Sequence, residues 1–145
     1  MSKQLFLLTA LAIGILVALA ILLSRGKPHY PVVRAVVPGG VILTFIETPW
    51  NDANRCVEEN LKVTNILRQQ CPQCRIEFSE CREQLNLSWE KSVRDEPGDF
   101  FTVHTGTQRI VIEADPKTSQ EVCIGMADQI EHQKKQHARC VKPVT

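Results

Sequence analysis

The sequence predicts an α+β protein: a single-pass N-terminal transmembrane helix followed by a small two-layer α/β sandwich, in which two long helices cover a mixed sheet of four or five strands. Three observations lead to this prediction. An uncharged apolar run opens the chain, β-branched runs are separated by turn signals, and two later stretches have the apolar spacing of helices. With 145 residues, the chain is long enough for one such domain.

The apolar run extends from Leu5 to Leu23, and 17 of its 19 residues are apolar. As a helix it would be about 28 Å long, close to the thickness of the hydrocarbon core of a bilayer. Ala18-Leu19-Ala20 has the pattern of a signal-peptide cleavage site, so cleavage is the alternative. Because the apolar run continues past that site, we expect an uncleaved signal-anchor that contacts the lipid bilayer through residues 5–23.

This anchor divides the chain into four predicted parts. Residues 1–4 form a cytoplasmic tail, residues 5–23 the transmembrane segment, residues 24–31 a linker, and residues 32–145 an extracytoplasmic α+β domain. Positive charge lies on both sides of the apolar run, so charge does not determine its orientation. The cysteines determine it instead, because all of them follow the run and favour an oxidising compartment. A cytoplasmic domain with free buried thiols is the alternative.

The first half of the domain is predicted to form a hairpin and a long helix. Residues 32–37 and 41–46 are β-branched runs on either side of a Pro-Gly-Gly turn signal. Thr48-Pro49 then predicts the start of a helix over about residues 50–70. The apolar face of this helix is expected to contain Ala53, Val57, Leu61, Ile66 and Leu67.

The second half contains further strand signals. Residues 75–79 alternate in polarity and predict a short strand, and residues 100–104 and 109–113 predict a second hairpin. The segment between them, residues 80–99, predicts a short helix in its first half and a turn near its end.

A second long helix is predicted near the C-terminus. Thr118-Ser119-Gln120-Glu121 fits a capping box, from which the helix reaches about Arg139. Its apolar face is expected to contain Val122, Cys123, Met126, Ala127 and Ile130. No internal repeat is visible in the sequence.

The candidate site residues are six cysteines, which we expect to form disulfides: Cys56, Cys71, Cys74, Cys81, Cys123 and Cys140. On the predicted helices, Cys56 lies about 22 Å from Cys71, and Cys123 about 25 Å from Cys140. A disulfide requires Cα atoms within about 7 Å, so neither bond is expected. Antiparallel packing of the helices would pair Cys56 with Cys140, either Cys71 or Cys74 with Cys123, and the remaining cysteine with Cys81.

Cys71-Pro72-Gln73-Cys74 has the spacing of a thiol-disulfide exchange site and of half a zinc site. Redox catalysis requires a thiolate, which the N-terminus of a helix stabilises. Here the pair follows a helix, whose C-terminus is negative. Zinc would need Cys81, or His137 with Cys140, as further ligands. We expect structural disulfides, with no metal and no cofactor.

The remaining sequence excludes several function classes. It contains neither a phosphate-binding loop nor a recognisable nucleophile motif. His104 is expected at a packed or solvent-facing position, and His132 and His137 at solvated positions. From Pro28 onward there are 14 basic and 16 acidic residues, which argues against binding of nucleic acid.

The function that the sequence favours is a membrane-anchored, disulfide-stabilised extracytoplasmic domain for binding or assembly. It would be a non-catalytic accessory subunit of a cell-envelope complex, with another membrane or envelope protein as its partner. The alternatives are an anchored thiol-disulfide oxidoreductase that uses Cys71 and Cys74, or a zinc-stabilised domain.

Overall fold

The computed structural model describes residues 3–23 and 26–144, with side chains described for residues 11–21 and 26–144. Four helices and six strands are found in these residues. The helices are α1 (Lys3–Leu23), α2 (Ala53–Gln70), α3 (Leu87–Val93) and α4 (Pro116–Lys134). The strands are β1 (Tyr30–Val36), β2 (Ile42–Glu47), β3 (Arg75–Arg82), β4 (Phe101–His104), β5 (Gln108–Glu113) and β6 (Arg139–Val141).

The six strands form one sheet in the order β3-β1-β2-β5-β4-β6, and every neighbouring pair is antiparallel. The prediction of a mixed sheet with four or five strands is therefore wrong. The strand missing from the prediction is β6, which begins at Arg139, where the last helix was predicted to end. Lys135 has a left-handed backbone (φ 49°) that ends α4, and the chain then returns along β4.

The sheet consists of two units with the same connectivity. In each unit, a hairpin is followed by a helix and then by a third strand that pairs with the first strand of the hairpin. The first unit is β1-β2-α2-β3 and the second is β4-β5-α4-β6, and they meet at β2 and β5 in the centre of the sheet. The structure thus contains an internal repeat that is not visible in the sequence.

Helices α2 and α4 lie on one face of the sheet. There, Val63 of α2 and Cys123 of α4 join a core that includes Ile110 of β5. Helix α3 lies on the opposite face, where Trp89 packs with Val111. The predicted two-layer sandwich of two long helices is therefore wrong. The segment between β3 and β4 covers the second face and adds a third layer.

The first predicted hairpin is confirmed. β1 and β2 pair in register from Val32 with Ile46 to Val36 with Ile42. In the turn between them, Gly39 and Gly40 have φ angles of 96° and 84°. Residues with a Cβ atom rarely adopt these φ angles, so the two glycines permit the tight connection.

Helix α2 begins later than predicted, and it buries a different face. Asp52 is its N-cap and accepts a hydrogen bond from the Asn54 N–H at 2.8 Å. Val57 and Leu61 were expected in the core, yet their exposed fractions are 50% and 56%. The buried residues are Cys56, Asn60, Val63 and Thr64. This rotation follows from the bond between Cys56 and β3, which holds that side of the helix against the sheet.

The prediction of a transmembrane anchor over residues 5–23 is corrected by the structure. Helix α1 has exposed apolar side chains over the part whose side chains are described, residues 11–21. Among the described residues, no helix is both long and apolar enough to cross a membrane. The single-pass anchor in the predicted fold class and the predicted membrane localisation are therefore wrong.

Parts of the predicted tail and linker cannot be compared with the structure. Residues 1 and 2 of the tail and residues 24 and 25 of the linker lie outside the described residues. The domain itself begins with β1 at Tyr30, two residues before the predicted boundary at residue 32.

Candidate functional site

The six cysteines form three disulfides: Cys56–Cys81, Cys71–Cys74 and Cys123–Cys140. The expected stabilisation by disulfides is confirmed. All three predicted pairings are wrong, because Cys81 is bonded to Cys56 and not to Cys71 or Cys74. The exclusion of a Cys123–Cys140 bond is also wrong. The Cα atoms of Cys123 and Cys140 are only 5.4 Å apart, because α4 ends at Lys134 and β6 folds back beside it. The two cysteines do not share one long helix.

These bonds occupy the sulfur atoms that the zinc hypothesis requires. Cys71, Cys74, Cys81 and Cys140 are all disulfide-bonded. Within the described residues, no group of three or more histidine, cysteine or acidic side chains is placed to hold a metal ion. His137 is exposed, and its Nδ1 lies 3.2 Å from a carboxylate oxygen of the same surface.

The Cys71–Cys74 disulfide lies at the C-terminal end of α2. The N–H of Cys71 donates to the carbonyl of Leu67 at 2.8 Å, and the N–H of Cys74 donates to the carbonyl of Cys71 at 3.0 Å. The C-terminal end of a helix carries partial negative charge, which disfavours a thiolate. The local geometry therefore favours a disulfide that closes the turn between α2 and β3.

A groove of about 810 Å³ lies between α2 and α4, above the centre of the sheet. Its volume falls within the range of about 300–1,000 Å³ that is typical of ligand sites. Each long helix packs on strands of its own unit, so the junction of the two units is left open. The floor consists of Leu43, Phe45 and Ile110 from the central strands. The apolar walls are Val63, Ile66 and Leu67 of α2, and Met126 and Ile130 of α4.

Glutamines supply much of the polar rim. Five of them line the groove: Gln70, Gln108, Gln129, Gln133 and Gln136. Each side-chain amide can both donate and accept hydrogen bonds, as a peptide group does. The rim is therefore suited to a ligand that carries amide groups of its own.

The two ends of the groove differ in chemistry. One end is bordered by Val37 and the Cys71–Cys74 disulfide, since β3 begins beside the end of β1. The other end is polar and contains Glu47, the last residue of β2, together with Glu59 and Lys134. A ligand in the groove would therefore meet a different environment at each of its ends.

Glu47 has the most perturbed environment of the groove's acidic residues. Gln108 Nε2 donates a hydrogen bond to its Oε1. Burial raises the pKa of Glu47 above its ordinary value of 4.5, and the negative charge of Glu59 raises it further. The hydrogen bond from Gln108 and the charge of Lys134 act in the opposite direction. Both causes of the rise disfavour the ionised carboxylate, which a nearby cation would stabilise.

A second polar cluster lies on the opposite face of the sheet, at the end of β4. His104 is buried, and its Nδ1 lies 2.8 Å from Asp95 Oδ1 without the alignment of a hydrogen bond. Arg109 Nη2 donates to the same carboxylate oxygen at 2.9 Å. Of the packed and solvent-facing positions expected for His104, the structure shows the packed one. This cluster joins the loop after α3 to the sheet.

The buried imidazole predicts how stability depends on pH. Burial lowers the pKa of His104 below its ordinary value of 6.5, and the charges of Arg109 and Arg139 lower it further, against the attraction of Asp95. As the pH falls below 6.5, the unfolded chain binds a proton before the folded protein does, so the free energy of unfolding decreases. Urea unfolding at several pH values between about 7 and 5 should show a larger decrease for the wild-type protein than for His104→Gln. Equal decreases in the two proteins would contradict this assignment.

The groove is the feature that sequence reasoning missed. Its lining residues come from two helices and two strands that are far apart in the chain, so no local pattern brings them together. The one available signal was the spacing of Gln129, Gln133 and Gln136, which would share one side of the predicted helix.

Comparisons of the chain with protein-family models, curated proteins and solved structures found no match.

Proposed function

We propose that this chain is a disulfide-stabilised, non-catalytic binding domain that takes up an extended peptide segment of a protein partner in the groove between α2 and α4. The observation that carries this proposal is an apolar floor bordered by five glutamines. The three disulfides support a domain that functions in an oxidising compartment, where such bonds persist.

An extended peptide matches both parts of the groove. Its apolar side chains would lie over the floor and cover the exposed Ile66 of the α2 wall, which reduces the apolar surface exposed to water. Its backbone N–H and C=O groups would pair with the glutamine amides, whatever the peptide sequence. Along the α2 wall, the distance from Glu59 to Gln70 is about 17 Å. This distance corresponds to roughly five residues of extended chain.

The groups that line the groove favour binding over catalysis. Its charged members are Glu47, Glu59, Lys62 and Lys134, and Lys62 forms an ion pair with Glu59 at 2.6 Å. The two sulfur atoms at its apolar end are bonded to each other. The lining therefore lacks the pairing of a nucleophile with an adjacent base that covalent catalysis uses.

A matched pair of substitutions on α2 tests the groove. Ile66 lines the groove and Leu61 does not, although both are exposed apolar residues of the same helix. The probe is a library of random heptapeptides displayed on phage and selected on the oxidised protein. We expect enrichment of apolar peptides, and an affinity for them that is at least about tenfold weaker in Ile66→Glu, because binding would then bury a charge. Leu61→Glu should bind as the wild-type protein does.

Circular dichroism during heating checks that both variants are folded, since each substitution is at an exposed position. The absence of enrichment on the wild-type protein would contradict the proposed function. Equal loss of affinity in Ile66→Glu and Leu61→Glu would exclude the groove as the binding surface.

A further inference from the structure

The polar end of the groove contains one carboxylate without a cationic partner. Glu59 is neutralised by Lys62 at 2.6 Å. Glu47 accepts a hydrogen bond from the neutral amide of Gln108, and no lysine, arginine or histidine of the described residues forms an ion pair with it. Of the two carboxylates at this end of the groove, Glu47 is therefore the one without an ion-pair partner among the described residues.

Two further features add negative potential around Glu47, although the lining as a whole contains two glutamates and two lysines. Glu47 and Glu59 interact unfavourably, since each is an acidic group near the other. Helix α4 also ends here, at Lys134, and the carbonyl groups of its last turn carry partial negative charge. The positive charge of Lys134 offsets part of this potential.

Partial burial adds to the effect of this arrangement. Glu47 is partly buried between the end of β2 and the walls of the groove, so a bound ligand would displace much of its remaining water. Removing water from an ionised carboxylate without providing another partner for its charge costs free energy. A cation that enters with the ligand removes that cost and makes a charge-assisted hydrogen bond.

We infer that Glu47 selects peptides in which an apolar stretch is followed, or preceded, by a lysine or arginine side chain at the polar end of the groove. This inference rests on the proposed function and adds the specificity of the same site. The apolar side chains would lie over Phe45 and Ile110, and the cationic group would pair with the Glu47 carboxylate. The Cys71–Cys74 end would accept only the apolar part of the peptide.

The experiment compares synthetic pentapeptide pools that are acetylated and amidated, so that their termini carry no charge. Four positions are randomised among alanine, valine, leucine and phenylalanine. The fifth, at either end, is lysine or norleucine, which has the same stem without the ammonium group. Fluorescence polarisation with labelled pools measures an apparent dissociation constant for the wild-type protein, Glu47→Gln and Glu121→Gln. Glu121 is an exposed glutamate of α4 outside the lining and serves as the matched control.

We expect a lysine pool to bind the wild-type protein about tenfold more tightly than its norleucine counterpart. The preference should be lost in Glu47→Gln and retained in Glu121→Gln. Equal binding of the lysine and norleucine pools, or a preference that survives in Glu47→Gln, would overturn the inference and leave the proposed function intact. Failure of every pool to bind would overturn the proposed function, and the inference with it.

Discussion

Replacing both Cys56 and Cys81 by alanine is expected to lower the free energy of unfolding by about 3–4 kcal/mol. The bond joins residues 25 positions apart, so its loss frees a long loop in the unfolded chain. Cys56 is also completely buried, and its bond holds α2 against β3. For a domain of this size, the midpoint of thermal unfolding should fall by about 10 °C or more.

The other two disulfides provide matched controls with shorter loops. Cys123 and Cys140 are 17 positions apart, and Cys71 and Cys74 only 3. Replacing Cys123 and Cys140 by alanine should lower the free energy of unfolding by about 3 kcal/mol. Replacing Cys71 and Cys74 should lower it by about 2 kcal/mol or less. Guanidinium titrations without reductant would measure all three losses. A loss for Cys71→Ala/Cys74→Ala that equals the loss for the longest loop would contradict the dependence on loop length.

Trp89→Ala is expected to destabilise the domain by about 3–5 kcal/mol. Trp89 is 5% exposed and anchors α3 on the sheet face opposite the groove. Its ring lies 6.4 Å from that of Phe78, and the guanidinium of Arg82 lies over both rings. Removing the indole leaves a cavity beneath α3 and weakens the attachment of the segment between β3 and β4.

Leu87→Ala is the control for this substitution, because Leu87 is on the same helix and is 69% exposed. Urea unfolding should show a change of less than about 0.5 kcal/mol for this variant. Peptide binding measured on folded Trp89→Ala should be unchanged, since the groove is on the other face of the sheet. A small effect of Trp89→Ala on unfolding would show that α3 contributes little to the stability of the fold.

Local sequence patterns determined where most elements lie. The β-branched runs around Gly39 and Gly40 predicted β1 and β2, and the alternating residues after Cys74 predicted the start of β3. These predictions succeed because glycine conformations and strand alternation depend on neighbours in the chain. The same local reasoning placed the Cys71–Cys74 pair after a helix, as the structure shows.

The ends and faces of helices were less predictable from local patterns. Val57 and Leu61 are the more apolar choice for the buried face of α2, but the bond from Cys56 to β3 rotates them toward solvent. Similarly, the residues after Lys134 continue a plausible helix, yet the left-handed Lys135 redirects the chain into β6. Contacts with distant strands outweigh helix propensity in both places.

The sequence alone determined an α+β chain rich in cysteines, with strand and helix segments in nearly the right places and an oxidising compartment as the inferred setting. Only the tertiary structure decided the cysteine pairing, the antiparallel strand order, the twofold repetition of the β-β-α-β unit and the groove between the units. The physical reason is that hydrogen-bonding preferences and turn geometry act between neighbours. Disulfide formation, helix rotation and a shared binding surface depend on residues that meet only when the sheet has assembled.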